Sequence, residues 1–368
     1  MRIEHIDDVL PHVSGRSDFV VAERPGYTVI DYVYAAADTF DHPARMECRG
    51  IKFGPDGKIL ARPFAKFFNI GEKEHTQQHL IDMAQNHTIM EKIDGSMIHP
   101  AIVDGELVFM TRMGRTDVAR KAEGLLTPVL ERACREALLG MGVTPIFEFT
   151  APDNRIIIKY EQPALHLLAL RETVSGNYLP FETIRPNAIR MGIAPVPFVP
   201  SVWSTTQDFV SYARAIQGAE GFVVRFDNGL WVKMKGDDYV LKHKSKDQIS
   251  LEKNALAVIL SGSVDDVLPL LSAEDRHGFE AYRNAVLAGI AETAATVSEI
   301  VGRGAHLDQK HFAVDHLAQY DGTIKAIAFL VRRGVPAMDA VRSAVSKRLG
   351  SQTDVDGVRP LFKAEWSF

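Results

Sequence analysis

Cysteine is nearly absent from this chain of 368 residues, which carries only Cys48 and Cys134. Two cysteines are too few for a disulfide framework or a cysteine-based zinc site. The sequence also shows no apolar run that approaches the length of a membrane span, and its first residues are too polar and acidic for a signal peptide. These absences predict a reduced, cytoplasmic protein that has no membrane partner.

An excess of positive charge is also missing, since the formal net charge is −5. This value argues against a general, charge-driven nucleic-acid binder, although a local basic cleft can coexist with an acidic exterior. Hydrophobic residues make up 46% of the chain and charged residues 24%, which is typical of a soluble globular protein. The length predicts two domains.

The first 246 residues have the pattern of an α+β domain. Runs rich in β-branched and aromatic residues predict strands at 27–34, 98–110, 145–149, 156–159, 165–171, 221–226 and 230–235. Apolar spacing predicts helices at 76–85, 119–139 and 206–217. Asp104-Gly105 and Asn228-Gly229 are hairpin signals, so we expect antiparallel sheets with helices between them rather than a doubly wound parallel sheet.

The strand signal nearly vanishes after Lys246. Apolar spacing of three and four predicts helices at 249–260, 274–301, 310–320 and 337–349. Ser272 and Asp275 are spaced like a capping box at the start of the second of these helices. We therefore predict an α+β domain over residues 1–246 and an all-α domain over residues 247–368.

Lys92 stands at the start of Lys92-Ile93-Asp94-Gly95-Ser96, which is a poor local pattern for regular structure. Asp, Gly and Ser favour turns, so we expect the lysine at the end of a strand, beside a tight turn. A neutral amine held there could attack a phosphorus atom, and neighbouring cations or burial favour the neutral form of an amine. A solvated lysine on a surface hairpin is the alternative that this motif leaves open.

Cations that could hold phosphate groups occur in three further segments. Lys233 and Lys235 alternate with Val232 and Met234 and therefore project from one face of a strand, which suits either an anion in a cleft or a solvated sheet face. Arg49 and Lys66 lie in notably apolar surroundings, which favours a functional role for each of them.

Two carboxylates are embedded in apolar strands. Glu148 stands between two phenylalanines, and Glu220 precedes the run Gly221–Val224. Burial of a carboxylate is costly unless a cation or a metal compensates for it. Both could hold a metal ion, or each could form an ordinary buried salt bridge, for which Arg155 is the candidate partner.

His75 and His79 have the spacing that could place two metal ligands on one helix face. The residues between them are Thr76, Gln77 and Gln78, so the glutamate of a zinc-protease motif is absent. We interpret the pair as exposed histidines at the polar start of a helix.

In their order along the chain, these segments resemble a known superfamily. The covalent nucleotidyltransferases, which include DNA ligases, RNA ligases and mRNA capping enzymes, have motifs I, III, IV and V that are similar to Lys92–Ser96, Phe147–Phe149, Glu220–Val223 and Lys233–Lys235. Within that superfamily the phage T4 RNA ligase 1 family shares further segments, which are Glu47–Ile51, Lys66–Asn69, Pro152–Ile156 with Tyr160, and Lys235–Tyr239 followed by His243.

The resemblance implies an α+β nucleotidyltransferase domain of the ATP-grasp-like ligase type and an ATP-dependent RNA ligase activity. Lys92 would attack the α-phosphate of ATP and become covalently linked to AMP. The AMP would pass to an RNA 5′-phosphate, and an RNA 3′-OH would then displace it. Mg²⁺, or Mn²⁺ in its place, is the expected cofactor, because transfer of this kind needs a divalent metal to offset charge.

The resemblance also implies roles for individual residues. Lys233 and Lys235 would neutralise the α-phosphate, while Arg49 and Lys66 would hold the β- and γ-phosphates. Glu148 and Glu220 match acidic positions that engage ribose or metal. The other expected nucleotide-site residues are Tyr32 lining the site, Tyr239 near the phosphates, Glu91 at the adenine edge, and Asp94 with Gly95 shaping the turn at Lys92.

One segment departs from the family pattern. Thr111-Arg112-Met113-Gly114-Arg115 has one residue more than the usual Thr-Lys-Gly or Thr-Arg-Gly step. Either Arg112 or Arg115 could therefore be the phosphate contact, and we favour Arg112.

In the family the helical domain helps to select the RNA, often a broken tRNA anticodon loop. Asp265 and Asp266 resemble an acidic pair that can bind a metal there, but they also suit a plain helix start. The expected protein is a monomer in a bacterial or phage-infected host cytosol. A DNA ligase or a capping enzyme is the alternative, although either would follow motif V with the short strands of an OB-fold. A catalytically inactive RNA-binding module is opposed by the presence of Lys92, Glu148 and Glu220.

Overall fold

The computed structural model of the chain describes residues 1–366. Its strands are β1 (Phe19–Arg24), β2 (Tyr27–Tyr32), β3 (Ile51–Phe53), β4 (Ile59–Ala61), β5 (Phe68–Asn69), β6 (His87–Glu91), β7 (Ser96–Val103), β8 (Glu106–Met110), β9 (Val143–Thr150), β10 (Ala164–Glu172), β11 (Ala194–Pro195), β12 (Phe198–Val199), β13 (Gly221–Phe226) and β14 (Trp231–Lys235). Its α-helices are α1 (Pro43–Glu47), α2 (Asp117–Glu123), α3 (Pro128–Arg135), α4 (Ile184–Met191), α5 (Thr206–Ala215), α6 (Asp237–Ser250), α7 (Glu252–Ser261), α8 (Val264–Val267), α9 (Ala273–Arg303), α10 (Gln309–His311), α11 (Gly322–Arg332), α12 (Ala337–Ser346) and α13 (Gln352–Phe362).

The strands form three sheets. The first sheet is antiparallel throughout, in the order β1-β2-β3-β4. The second has the order β11-β10-β9-β7-β8 and the third the order β12-β6-β13-β14-β5. Each of the last two is antiparallel except for one short parallel pair, β10 with β11 and β14 with β5. The prediction of an α+β fold with mainly antiparallel sheets is therefore confirmed.

Local turn chemistry accounts for the two predicted hairpins. Asp104 and Gly105 both have positive φ, at 51° and 81°, and they connect β7 to β8. Asn228 and Gly229 connect β13 to β14, and Gly229 has a φ of 91°. Such backbone angles fit the twist of antiparallel strands and favour Gly, Asn and Asp.

The residues divide into two compact units, Met1–Val240 and Leu241–Phe368, and the division lies within α6. The predicted boundary after Lys246 lies in the same helix. The main core of the first unit is formed where the second sheet, through residues such as Phe109, Phe147 and Leu167, packs with α2, α3 and α4. In residues 241–366 the described structure is helical and contains no strand, so the helical C-terminal region is confirmed.

The long helix α9 forms much of the core of the second unit. Phe279, Val286, Ile290 and Val297 are buried on one of its faces, and α11, α12 and α13 pack against it. Ser272 caps its first turn by accepting a hydrogen bond from Asp275 N. By length and composition alone this helix could cross a membrane, with a mean hydropathy of 1.4 in its most apolar stretch. The expectation of no span-length apolar stretch was wrong, because a long core helix concentrates apolar residues in the same way.

Three predicted elements are wrong. Residues 76–85 are not a helix, since Thr76 caps a single 3₁₀ turn with its own side chain and hydrogen-bonds back to Asn69 O. The helix predicted over 119–139 is interrupted between α2 and α3, where Thr127 caps a new helix that begins at Pro128. Residues 156–159 form no strand, because the amides of Ile157 and Ile158 donate to the carboxylate of Asp94.

Candidate active site

Lys92 follows β6 and precedes the turn that leads into β7. Its backbone amide continues the sheet by donating to Gly221 O at 2.9 Å, and its Nζ donates to Glu220 Oε2 at 2.7 Å. Gly95 permits the turn, because a Cβ on this residue would lie 2.3 Å from Phe149 O. The lysine is thus held at the end of a strand, as the sequence predicted.

Asp94 fixes the turn from its buried side. Its Oδ2 accepts hydrogen bonds from the amides of Ile157 at 2.8 Å and Ile158 at 2.7 Å, and its Oδ1 accepts one from the Tyr239 hydroxyl at 2.6 Å. Its own amide donates to the Tyr160 hydroxyl at 3.1 Å. Asp94 and Tyr239 are both buried, and their side chains are bonded to each other. Both therefore support the turn from behind.

Glu220 connects two lysines. Its side chain is buried, and besides Lys92 it binds Lys235 Nζ through Oε1 at 2.9 Å. Gly221 and Lys235 are register partners in β13 and β14, which places Glu220 beside the end of β14. Two lysines thus compensate for the burial of this carboxylate. A Glu–Arg salt bridge, which was the alternative, is not needed to explain why Glu220 is buried.

Lys233 lies on the same strand face as Lys235. Its Nζ stands 5.5 Å from the centre of the Phe67 ring, a favourable distance for a cation–π contact. Burial, together with the neighbouring charges of Lys66 and Lys92, lowers the pKa of Lys233 to about 7. An anion placed here would favour the charged form of this lysine.

Glu148 projects from β9, opposite Met97 of β7. Burial raises the pKa of Glu148 to about 8, and the positive charge of Lys92 opposes that shift. The carboxyl group thus stays largely protonated at neutral pH until a cation or a metal compensates for its burial.

Lys66 lies among three aromatic rings. Its Nζ is 5.4 Å from the centre of the Tyr32 ring, 4.9 Å from Phe40 and 5.4 Å from Phe68. Rings of this kind stabilise a cation while leaving it without a paired negative charge. The site therefore presents positive charge that is available for an anion.

The two candidate arginines face different surroundings. Arg112 Nε donates to Asp31 Oδ2 at 2.9 Å, and its guanidinium lies 4.3 Å from the centre of the Tyr32 ring. Arg115 instead donates two hydrogen bonds of 2.9 Å to Glu123. Arg112 and Lys66 thus share the Tyr32 ring, whereas Arg115 is bound in a separate pair.

An open cavity of about 230 Å³ lies in front of Lys92. It is lined by Arg49, Phe64, Phe67, Met90, Glu91, Lys92, Ile93, Gly95, Met97, Glu148, Leu168, Val196, Val223, Trp231 and Lys233. Of the residues predicted from the sequence, Arg49, Glu91, Lys92, Gly95, Glu148 and Lys233 line this cavity. Glu220 is connected to it through its contact with Lys92, and Lys235 through its contact with Glu220. Tyr32, Lys66 and Arg112 form the neighbouring group described above.

Several residues of this site were missed in the sequence. Trp231 starts the alternation that includes Lys233 and Lys235, so the same strand face could have identified it. Asp31 stands within the apolar strand β2, which is the signal that pointed to Glu148. Phe64 and Phe67 contribute to the apolar surroundings of Lys66 in the sequence, and no further pattern marks them as residues of the site.

The acidic residues show which side chains could hold the expected metal ion. In residues 1–366 no cluster of three or more His, Cys, Asp or Glu side chains could hold a metal ion. The carboxyl group of Glu148 lines the cavity beside Lys92 and could serve as a single protein ligand. Mg²⁺ is commonly held by one or two carboxylates together with substrate phosphates, so this donor set fits the ion.

The remaining candidate ligands lie in other parts of the chain. Asp265 and Asp266 are exposed in the first turn of the four-residue helix α8, in the second unit. His75 and His79 belong to two separate 3₁₀ turns, Glu74–Thr76 and Gln78–Leu80, rather than to one helix. The prediction that these histidines begin a helix was therefore wrong, whereas both are exposed as expected.

Known proteins with similar sequences point to one family. The RNA ligase family profile of the T4 RNA ligase 1 type matches residues 47–249. A putative RNA ligase of Thermovibrio ammonificans is 33% identical over 248 residues, covering 65% of this chain and 63% of its own length. RNA ligase 1 of bacteriophage TS2126 is 30% identical over 237 residues, covering 60% of this chain and 57% of its own length. The chain thus spans less than two thirds of the length of these relatives.

Solved structures with a similar fold include an archaeal ATP-dependent RNA ligase. It has a TM-score of 0.49 and 17% identity, and the match covers 98% of this chain and 96% of that one. The resemblance read from the lysine, glutamate and arginine motifs is confirmed by the family match over 47–249. The chain belongs to the RNA ligase family of the phage T4 RNA ligase 1 type.

Proposed function

We propose that this protein is an ATP-dependent RNA ligase that joins RNA 3′-OH and 5′-phosphate ends. One observation carries the proposal: Lys92 faces an open cavity with its Nζ bound to Glu220, in a chain that belongs to an RNA ligase family. The lysine is held for attack at a strand end, and cations for a phosphate chain surround it.

In the first step Lys92 Nζ forms a bond to the α-phosphorus of ATP, and the bond from that phosphorus to the pyrophosphate breaks. Glu220 Oε2 lies at 2.7 Å from Nζ and is placed to take the proton that the amine must lose. Lys233 and Lys235 offset the charge on the α-phosphate. Preorganised cations of this kind stabilise the transition state without reorganisation of solvent.

In the two later steps the AMP moves from Lys92 to the RNA. The 5′-phosphate oxygen of RNA attacks the α-phosphorus, which frees the lysine, and the 3′-OH of the second end then attacks the 5′-phosphorus and releases AMP. Both attacks place negative charge near the same cations, so a single site serves all three steps.

The outer phosphates of ATP would lie toward Arg49 and Lys66. Their position would direct pyrophosphate away from Lys92, in line with the attacking amine. Arg112 is the preferred further contact, because it shares the Tyr32 ring with Lys66 while Arg115 is paired with Glu123. Glu91, at the rim of the cavity, is the proposed contact for the adenine edge.

Mg²⁺, or Mn²⁺, is the proposed cofactor, with Glu148 as its protein ligand. A bound divalent ion would offset negative charge on the phosphates and orient them for attack. Asp94 and Tyr239 contribute through the turn that presents Lys92, and Gly95 contributes by its close approach to Phe149.

The proposed substrate is single-stranded RNA or a tRNA broken in its anticodon loop, and the proposed setting is the cytosol of a bacterium or a phage-infected host. The helical second unit would help to select the RNA, and Asp265 with Asp266 remains a candidate metal pair there. We propose that the protein acts as a monomer. A DNA ligase or a capping enzyme is less favoured, because residues 241–366 are helical where an OB-fold would contain strands.

A substrate comparison tests this function. The protein would be incubated with Mg²⁺, with ATP or GTP, and with 5′-phosphorylated single-stranded RNA, nicked duplex RNA or nicked DNA. We expect ATP-dependent joining of RNA ends, and no joining by Lys92→Ala. Preferential sealing of nicked DNA, or activity with GTP in place of ATP, would contradict the proposal.

A further inference from the structure

Lys52 and His99 form a fully buried polar pair inside an apolar layer. Lys52 belongs to β3 of the first sheet and His99 to β7 of the second, and both side chains have no exposed area. The layer consists of Tyr27, Val29, Ala61, Ala101, Val108 and Met110. A lysine in such surroundings is costly unless its hydrogen-bonding groups are satisfied, so its contacts indicate what it is for.

The side-chain nitrogen of Lys52 has three hydrogen-bond partners. Nζ lies 2.8 Å from His99 Nε2, 2.6 Å from Thr111 O and 3.1 Å from Arg112 O. His99 Nδ1 lies 3.2 Å from Pro100 O, which fixes the hydrogen on Nδ1 and leaves Nε2 as an acceptor. His99 thereby orients Lys52 toward two successive carbonyls of one turn.

That turn carries Arg112. Thr111 N donates to Gly114 O at 2.8 Å, which closes the turn around Arg112 and Met113. Gly50 packs directly against it with a φ of +85°, and a Cβ there would lie 2.6 Å from Arg112 O. The backbone of Arg112 is therefore fixed by Lys52 on one side and by the residue after Arg49 on the other.

The guanidinium of Arg112 depends on this backbone for its position. It lies against Asp31 and over the Tyr32 ring, on which Lys66 also lies. Asp31 has no exposed area, so it cannot follow the arginine if the turn moves. A shift of the Thr111–Gly114 turn would thus separate Arg112 from the ring that it shares with Lys66.

We infer that Lys52, oriented by His99, is a positioning residue that holds Arg112 at the phosphate end of the nucleotide site. The inference rests on the proposed function, in which Arg112 contacts the phosphates of ATP. Lys52 touches no substrate itself, and its effect on the reaction passes through Arg112.

A double-mutant cycle separates this role from a purely structural one. Lys52→Met, Arg112→Ala and the double variant would be compared for the rate of lysyl-AMP formation over a range of ATP concentrations. We expect Lys52→Met to lower kcat/KM for ATP about tenfold, mainly through KM, and less than about twofold when Arg112 is already alanine. Urea unfolding of the same four proteins would show an equal loss of stability from Lys52→Met in both backgrounds.

Val29→Ala is the matched control, because it removes apolar volume from the same layer without touching the turn. We expect it to lower stability and to leave kcat/KM of the folded protein unchanged. If Lys52→Met fails to fold, His99→Leu serves in its place, since it leaves the lysine but removes the acceptor that orients it. His99→Gln, which keeps a side-chain acceptor, should recover part of the activity that His99→Leu loses.

The outcomes are distinct. A loss that disappears in the Arg112→Ala background supports the inference. The inference would be overturned if Lys52→Met lowered kcat/KM for ATP by the same factor in both backgrounds. It would also be overturned if the Arg112→Ala protein formed lysyl-AMP as fast as the wild type. In either case the proposed function stands. Absence of lysyl-AMP in the wild-type protein would instead overturn the proposed function.

Discussion

At the scale of single residues, the site holds charges in unusual surroundings. Lys92 and Lys235 are bound to one buried carboxylate, Glu220, and Lys233 is driven toward its neutral form by burial and by neighbouring cations. Lysines gathered in this way repel one another, and a phosphate chain bound among them would relieve that repulsion. This is the physical reason to expect tight binding of a triphosphate to a protein whose net charge is negative.

The raised pKa of Glu148 makes the stability of the folded protein depend on pH. Its pKa is about 8 in the folded protein and 4.5 in the reference state, so the folded state binds the extra proton between these values. Its contribution to stability is complete below pH 4.5 and is lost as the pH rises through 8. We expect Glu148→Gln to stabilise the protein at pH 9 relative to pH 5 by up to about 4 kcal/mol.

Urea unfolding at the two pH values measures this difference. Glu23→Gln is the matched control, because Glu23 is exposed on β1, and its effect should be nearly the same at both pH values. An equally small pH dependence for Glu148→Gln would show that the carboxyl group of Glu148 is not shifted in the folded protein.

At the scale of elements, the turn after β6 is the feature that holds Lys92 at a strand end beside the cavity. Asp94 ties this turn to the segment at Ile157 and Ile158 and to Tyr239. Three hydrogen bonds to one buried carboxylate leave the turn little freedom. In the proposed reaction the lysine would therefore be held in one orientation before the nucleotide binds, which would reduce the entropy cost of the first step.

Removal of these bonds should affect stability and reaction together. We expect Asp94→Ala to cost about 2 to 4 kcal/mol of stability, because two partly buried amides and a buried hydroxyl lose their acceptor. Lysyl-AMP formation by the folded fraction should fall at least about tenfold, because the positioning of Lys92 is lost. Asp94→Asn keeps one acceptor oxygen, so its stability and its rate of lysyl-AMP formation should lie between those of the wild-type protein and those of Asp94→Ala.

Urea unfolding and a single-turnover adenylylation assay check these values, with Asp104→Asn in the β7–β8 hairpin as the control that changes neither. A fully active Asp94→Ala protein would contradict the role that the contacts of Asp94 indicate.

The elements also show what could be predicted from the sequence. The strands predicted at 221–226 and 230–235 agree with β13 and β14, and the hairpins with Asn-Gly and Asp-Gly are also found where predicted. The segment 156–159 has the composition of a strand, but its amides are taken by the distant Asp94, which no local pattern reveals. Gly124 and Pro128 mark the break between α2 and α3, but the apolar spacing continues across it and therefore predicts a single helix.

At the scale of the whole molecule, the first unit brings together motifs that are far apart in the sequence. Lys92 meets Glu220 because β6 and β13 are adjacent strands, and Lys235 joins them because β14 pairs with β13. Spacing and resemblance could identify these residues in advance. The pairing of Lys52 with His99, and of Arg112 with Asp31, could not be read from the sequence because each depends on how the first two sheets pack.

The second unit has its own core and its own buried polar centre. Glu252 is buried there and binds Arg359, Gln352 and the Tyr282 hydroxyl, which joins α7, α9 and α13. Such a network connects three helices of this unit through one buried carboxylate. Its contacts are complete within residues 241–366, as expected of a unit with a separate hydrophobic core.

The central claim is that Lys92 becomes covalently linked to AMP. The most direct test is peptide mapping by mass spectrometry after incubation with ATP and Mg²⁺ in the absence of RNA. We expect AMP on Lys92, none on the neighbouring Lys66, Lys233 or Lys235, and none on a Lys92→Ala protein whose folding is verified by circular dichroism. AMP on another lysine, or its absence from a folded wild-type protein, would contradict the account.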